Sequence, residues 1–426
     1  MGVPMSTLAW IVVSIVGTAL ACALFFLFTR ARGTPYLDLR PDEYPEIKDG
    51  LPLIAGLTES SVHEGNSATV FQNGAIFPAM LADIAAAKHT VHLETFVWSA
   101  GTLETTVVDA LAERARAGVK VRVLMDCIGA GKASETELER LKQSGAKLAT
   151  YCKPQWWNFG RFNHRTHRKL LVVDGRIGYA FGHGIEDHWL GKGNAPEHYR
   201  DTGVRFEGPV VHGLQSVFAQ NWVEETHSLP AGDDCFPVLE PAGDISAHVV
   251  SSAAADAVSS VALLYTVAIA MARREVLIQN PYFAPNDGVV ELFAMMVRRG
   301  VKVHLMVPGK HTDSPFVRRA GCSLYTALLE AGVRVYEFEP TLLHQKIVVV
   351  DEIWSHVGST NFDARSLALN EEVGVGILDA RVAAELKAAF KQDLRHCREL
   401  KLEEWRRRPI FDRAYERFAY LLHEQL

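Results

Sequence analysis

Two histidine–lysine pairs dominate the chemistry this chain could do. They stand in His167-Arg-Lys169-Leu-Leu-Val-Val-Asp174 and in His344-Gln-Lys346-Ile-Val-Val-Val-Asp351. Both stretches read His-x-Lys, four apolar residues and Asp, with the histidines 177 positions apart. A run this short and this rich in Val, Ile and Leu predicts a buried strand. Side chains at i and i+2 of a strand share one face, roughly 6–7 Å apart. That spacing suits a phosphate held between an imidazole and an ammonium. Asp174 and Asp351 complete the motif and are counted with the catalytic set. Seven positions on from the histidine, they fall on the other strand face, so a structural part is expected of them. One such match arises by chance in roughly a few per cent of chains this long. Two matches in equivalent places of a repeated frame do not.

Two histidines and two lysines fit a phosphodiester. The lysines offset charge on the non-bridging oxygens as it develops. One histidine attacks phosphorus and forms a covalent intermediate. The other protonates the leaving alcohol, then takes a proton from the incoming alcohol or water. A nucleophilic imidazole needs its distal nitrogen held by a carboxylate, which fixes the tautomer. Glu372, 28 residues after His344, and Asp201, 34 after His167, are the natural orienters. Spacing alone does not say which histidine is the nucleophile.

The elements that must position these groups recur with the motifs. Val91-His-Leu-Glu94-Thr-Phe96 is answered by Leu277-Ile-Gln-Asn280-Pro-Tyr282, and Gly118 to Leu124 by Gly300 to Met306. Each first strand leads into an amphipathic helix, and a further helix and strand precede each His-Lys run. Such alternation predicts an α/β fold of two tandem repeats, each a largely parallel or mixed sheet flanked by helices. A site divided between two copies of one unit belongs at their pseudo-twofold interface. The expected organisation is a membrane helix over 1–32, a linker over 33–60, a first domain over 61–232, a second over 247–396 and a helical tail over 397–426. Asp233 to Gly243 reads as the link between halves.

Leu8 to Thr29 holds no charge and is followed by Arg30-Ala-Arg32. At about 1.5 Å per residue this predicts one uncleaved transmembrane helix. Positive charge after it places the rest of the chain in the cytoplasm. The net charge of −6 argues against a nucleic-acid partner. The six cysteines are scattered without C-x-x-C or zinc spacing, as in a reducing compartment. His164, His167, Glu186, Asp187 and His188 lack an established metal spacing. No metal or other cofactor is expected.

After the second motif come Val357-Gly358-Ser359-Thr-Asn361-Phe-Asp363-Ala-Arg365-Ser366 and Asn370-x-Glu372. With the paired motifs, these resemble the phospholipase D superfamily, and within it bacterial cardiolipin synthases. Asn280-Pro-Tyr282-Phe, Pro308-Gly-x-His311-Thr-Asp313 and Trp405-Arg-Arg-Arg-Pro409 fit that subfamily. The resemblance covers roughly residues 60–426. It implies metal-independent transfer of a phosphatidyl group from one phosphatidylglycerol to another, giving cardiolipin and glycerol at the bacterial inner membrane. It also implies His167 as nucleophile through a phosphohistidine, His344 as acid and base, and Ser359 and Asn361 beside the substrate. The chain departs from the family's Gly-Gly-x-Asn after the first motif, where Phe181-Gly182-His183-Gly184 stands. His183 either substitutes for the missing ligand at Gly184 or fills a loop.

Other features bear on the lipid. The aromatic and basic run Tyr151 to Phe162 is expected either at the headgroup level or packed on the first half. His311, Thr312 and Asp313 either line the acceptor side or cap a turn. Leu402 to Leu426 is either an interfacial helix or one packed on the second domain, with its acidic residues favouring packing. A hydrolase on the same scaffold, acting on phospholipid or less readily on nucleic acid, is the second reading. A dead membrane scaffold is the third. Water or alcohol as acceptor depends on how the pocket excludes water.

Overall fold

The computed structural model describes residues 6–29, 40–152, 164–253 and 259–422, with side chains only to residue 22 in the first helix. In chain order the first half supplies β1 (Val62–Gln72), β2 (Thr90–Thr95), β3 (Lys120–Asp126), β4 (Lys147–Tyr151), β5 (Arg165–Thr166), β6 (Leu170–Val173), β7 (Ile177–Phe181) and β8 (Thr202–Glu207). The second supplies β9 (Ile245–Ser252), β10 (Glu275–Gln279), β11 (Phe283–Ala284), β12 (Lys302–Pro308), β13 (Arg334–Phe338) and β14 (Ile347–Val350). It continues with β15 (Trp354–Gly358), β16 (Phe362–Asp363), β17 (Asn370–Leu378) and β18 (Cys397–Glu399).

The main sheet runs β4-β3-β2-β6-β7-β8-β1-β9-β17-β15-β14-β10-β12-β13-β18, with β5 paired to β17. Outward from the β1–β9 seam, β8-β7-β6-β2-β3-β4 is answered by β17-β15-β14-β10-β12-β13. In each half the three strands β2-β3-β4 or β10-β12-β13 are parallel. The inner strands are antiparallel. The sheet is therefore mixed, and the repeat is visible in its strand order. At the seam β1 turns from β9 to β8, with a register shift between His63 and Asn66. Gly65, at φ +81°, supplies the left-handed residue this irregularity needs.

β6 and β14 are buried at every residue, as strands covered on both faces must be. The reason is a layered core. Helices Ile76–Ala86 and Thr102–Arg116 cover the outer face of the first half through Phe77, Met80, Val108 and Leu111. Between the halves lies a shared core in which Leu170 and Val172 meet Ile347 and Val349, with Phe218 and Leu386 from helices Val211–Thr226 and Ala380–Leu394. A third cluster backs the second half.

Two stretches differ in detail from expectation. Within 33–60, expected as a linker, the described part from Pro41 is packed structure. Ile47, Leu51 and Ile54 are buried in the second half's outer core. β18 and helix Ile410–Leu421 extend that half, the helix packing on Pro315–Cys322. Residues 153–163 of the aromatic run lie outside the described residues, as do Arg30 and Arg32. Thr7–Thr29 forms a 23-residue helix. Among the described residues, whose side chains in this helix end at residue 22, no helix is long and apolar enough to cross a membrane.

Candidate active site

Each histidine is tied to the opposite half before its side chain is considered. β5 lies parallel to the start of β17, and the His167 amide donates to the Glu371 carbonyl at 2.8 Å. Across the pseudo-twofold, Arg200 bridges Leu343, and the His344 amide donates to the Arg200 carbonyl at 2.7 Å. The residue after each carbonyl is a carboxylate, so the two orienters exchange halves. His167 Nδ1 donates to Glu372 at 2.9 and 3.0 Å. His344 Nδ1 donates to Asp201 at 2.7 Å. Neither carboxylate serves the histidine of its own repeat.

Burial sets the charge of these pairs. It pushes His167 down to about 4 against the pull of Glu372. It pushes His344 down to about 4, helped by the Lys346 charge and opposed by Asp201. Burial alone would raise Glu372, but the His167 and Lys169 charges hold it below the ordinary carboxylate value. Asp201 is likewise held low by His183, His344 and Lys346. At neutral pH each pair is thus a carboxylate with a neutral imidazole whose Nδ1 carries the proton. The His167 Nε2 lone pair is left for chemistry, while His344 Nε2 faces Lys346 Nζ at 3.0 Å.

The lysines stand beside them. Lys169 Nζ donates to the His167 carbonyl at 2.9 Å and lies 5.4 Å from the Phe96 ring centre. Lys346 Nζ donates to the His344 carbonyl at 2.6 Å and lies 2.8 and 3.0 Å from the ring nitrogens. Burial brings Lys169 down to about 7, with the Lys346 charge adding to it, and Lys346 to about 8. The action of the Lys346 charge on Lys169 places the two halves' lysines in one pocket.

Asp174 and Asp351 sit at the far ends of β6 and β14. Asp174 accepts from the amides of Lys88, His89 and Thr90 at 2.8, 2.7 and 2.8 Å. Asp351 accepts from Arg273, Arg274 and Glu275 at 2.7, 2.7 and 2.9 Å. Neither touches the histidine–lysine pocket. Their inclusion with the catalytic set is corrected by this geometry: they tie the motif strand to the start of the neighbouring one.

The loops after the motifs explain the family departure. Ser359 Oγ donates to Glu372 and accepts from the Val373 amide at 3.0 Å. Its counterpart Gly182 has no room for a side chain, since a Cβ there would lie 2.3 Å from the Asp201 carboxylate. Asn361 is buried, and its Oδ1 has no partner among the described residues. A Cβ at Gly184 would lie 2.7 Å from both the Trp189 ring and Val97. Trp189 takes the space an Asn would need and donates to Asp201 at 2.9 Å. His183 is buried, with Nε2 donating to the Asn73 carbonyl at 2.9 Å and its ring edge-on to Phe77. It fills the loop behind Asp201.

Asp313 accepts from the Tyr282 hydroxyl at 2.5 Å, and its charge acts on His344 and Lys346. It therefore edges the pocket, whereas Thr312 Oγ1 accepts from the Ser314 amide at 3.2 Å in a turn. Asp187 caps helix Thr102–Arg116 through the Thr102 and Leu103 amides. Among the described residues, no group of three or more His, Cys, Asp and Glu is gathered to hold a metal.

Sequence reasoning passed over the residue between His and Lys. Arg168 points away from the pocket and pairs with Glu371 at 2.7 Å. Gln345 donates to Thr202 at 2.7 Å and accepts from Gln279 at 2.8 Å. Glu94, buried and pushed up to about 7, accepts from Thr166 and Asn221 behind His167. The available signal was a charged or amide residue between the His and Lys of each motif, just before a wholly apolar strand, and a Glu within β2.

Crossed histidine–carboxylate pairs with paired lysines, at the interface of a duplicated mixed α/β unit, define a phosphodiester-transfer site of the phospholipase D kind. The family described as "Cardiolipin synthase, PLD-like domain" matches residues 80–184 and 265–394. The major cardiolipin synthase of Bacillus subtilis is 33% identical over 363 residues, covering 84% of this chain and 75% of that protein. Cardiolipin synthase 1 of Bacillus cereus is 28% identical over 98% of this chain and 89% of its own. This chain belongs to the cardiolipin synthase family of phospholipase D-like proteins. A crystal structure of phosphatidylserine synthase from Haemophilus influenzae shares the fold. It has a TM-score of 0.66 at 14% identity, over 87% of this chain and 98% of that one.

Proposed function

We propose that the protein is a membrane-anchored phosphatidyltransferase that joins two phosphatidylglycerol molecules into cardiolipin and releases glycerol. The observation that supports this most is the crossed pairing, which leaves two neutral imidazoles beside two lysines, with His344 Nε2 against Lys346 Nζ and His167 Nε2 clear of it. His167 Nε2 attacks phosphorus, and the bond to the glycerol oxygen breaks. A bound phosphodiester brings negative charge to His344 and raises it, so His344 Nε2–H delivers its proton to the departing alkoxide. The terminal hydroxyl of the second phosphatidylglycerol then returns a proton to His344 and attacks phosphorus. The phosphorus–nitrogen bond breaks and His167 is regenerated. Lys169 and Lys346 offset the charge on the non-bridging oxygens, and Asn361, whose Oδ1 has no partner among the described residues, adds a polar contact. Glu372, steadied by Ser359, and Asp201, steadied by Trp189, hold the two tautomers.

The two catalytic units correspond to 61–232 and 247–396. The 23-residue helix Thr7–Thr29 is about 35 Å long, enough for a bilayer core of roughly 30 Å. It anchors the chain, and Arg30 and Arg32 keep the enzyme on the cytoplasmic side. Purified protein in mixed micelles with phosphatidylglycerol and a chelator should yield cardiolipin and glycerol by mass spectrometry. His167→Ala and His344→Ala should each lower turnover roughly 10³-fold or more. Phosphatidic acid without cardiolipin would make water the acceptor and the enzyme a hydrolase. Near-normal turnover in either variant would end the two-histidine mechanism.

A further inference from the structure

Helix Ile410–Leu421 presents two unlike faces. Its inner face packs on helix Pro315–Cys322 through Ala419 and Glu416, both buried. Arg408 donates to Glu416 at 2.6 and 3.0 Å, and Arg319 reaches Asp412 at 3.2 Å. The acidic residues of this helix are therefore neutralised against the protein. Its outer face is apolar and exposed, with Tyr415 at one edge against Phe316 and the Arg319 guanidinium. Ile410, Phe411, Tyr415, Phe418 and Leu421 are exposed, Phe411 to 85% and Phe418 to 55%. At 3.6 residues per turn they fall in one arc of about 140°. Arg413 and Arg417, also exposed, follow on its flank.

We infer that this outer face lies in the headgroup layer of an anionic bilayer, as a second membrane contact beside the catalytic pocket. Three observations select lipid over another occupant. The arc joins aromatic and aliphatic side chains to flanking arginines, the pattern of an interfacial helix drawn to anionic lipid. The helix has 12 residues, about 18 Å, too short to cross a bilayer, so it lies in the plane. Its neighbours also lead to the pocket. Helix Pro315–Cys322 follows closely on Asp313, while Tyr420 donates to the Pro285 carbonyl at 3.1 Å, just past Tyr282. Tyr282 and Asp313 meet at the pocket edge. A helix seated in the headgroups there would set that edge at the depth of a phospholipid phosphate. The inference rests on the phospholipid reading of the site but not on turnover.

The test uses the full chain reconstituted in vesicles of phosphatidylglycerol and phosphatidylethanolamine. The photoreactive residue benzoyl-phenylalanine replaces Phe411, Phe418 or, as a control, Val238, which is 84% exposed on the link between halves. After irradiation, lipid adducts are counted by mass spectrometry. Yields at 411 and 418 should exceed that at 238 by about tenfold. Equal yields would overturn the inference, as would chain-to-chain adducts in place of lipid, which would make the face a contact between copies. Since the readout is an adduct, failed phosphatidyl transfer with strong lipid labelling would count against the proposed reaction alone. A double variant, Phe411→Ser with Phe418→Ser, should raise KM for vesicle lipid about fivefold and leave turnover of monomeric short-chain phosphatidylglycerol unchanged. An equal effect on both substrates would also overturn it.

Discussion

At the scale of residues, the site depends on two carboxylates that act from the wrong half. Glu372 and Asp201 are fully buried, and each accepts its histidine's Nδ1 proton. Replacing either by its amide keeps the shape but offers the imidazole a donor as readily as an acceptor, so the productive tautomer loses its advantage. Glu372→Gln and Asp201→Asn should each reduce kcat by roughly 10²–10⁴ with folding retained. The check is steady-state kinetics beside circular dichroism. A loss under about threefold would reduce these carboxylates to strand-end charges. Ser359→Ala should cost less, about tenfold, because Glu372 keeps both contacts to His167. The histidines and lysines were legible in the sequence because their spacing repeats. The exchange of orienters was not, since counting along the chain measures distance within a repeat while the pairing crosses between repeats. Gly184 was legible as a departure, but its cause was not, because Trp189 enters the space from another loop.

At the scale of elements, Asp174 and Asp351 do for the strands what the carboxylates do for the histidines. Each caps three consecutive amides at the entry to the neighbouring antiparallel strand, β2 or β10. Both take positive φ, 51° and 53°, a conformation in which Asp is enriched. The strand faces alone had already set these residues apart from the chemistry. What alternation could not show was which backbone they would serve, since the amides lie 84–86 positions away for Asp174 and 76–78 for Asp351. Asp351→Ala strands three partly buried donors and should cost about 1–3 kcal/mol; Asp174→Ala should cost less, about 1 kcal/mol, because the Lys88 and His89 amides are exposed. Denaturant unfolding measures that loss, and kcat per folded molecule should stay within about threefold of wild type. A large fall in kcat with unchanged stability would return them to the catalytic set. The segment from Pro41 was misread for a related reason. Its Pro and Asp content resembles a linker, and only its contacts reveal Ile47, Leu51 and Ile54 as core.

At the scale of the whole molecule, a pocket shared between halves forces ionisable groups into the interior, and their sum sets the response to pH. Five histidines are held neutral chiefly by burial: His92 and His356 near 3, and His167, His248 and His344 near 4, against an ordinary 6.5. As pH falls below about 6.5 the unfolded chain takes up protons at these positions and the folded one does not, so stability is lost toward pH 4. Glu94 and Asp363, pushed up to about 7 by burial, act in the opposite sense between their ordinary values and 7. Near pH 7 the two effects are comparable and the profile should be flat. Near pH 5.5 five groups oppose two, a net uptake on unfolding of two to three protons, worth about 3–4 kcal/mol per pH unit. Lys169 and Lys346, brought down to about 7 and 8, add the same sign on the alkaline side, raising stability up to their ordinary 10.5. Thermal unfolding in a non-ionic detergent should therefore give similar Tm values at pH 7.5 and 6.8 and a steep fall from 6.2 to 5.0. A Tm that holds or rises over that acid interval would mean the interior histidines are charged, and with them the site's imidazoles. Neutral Nε2 atoms could not then be the starting point of the transfer.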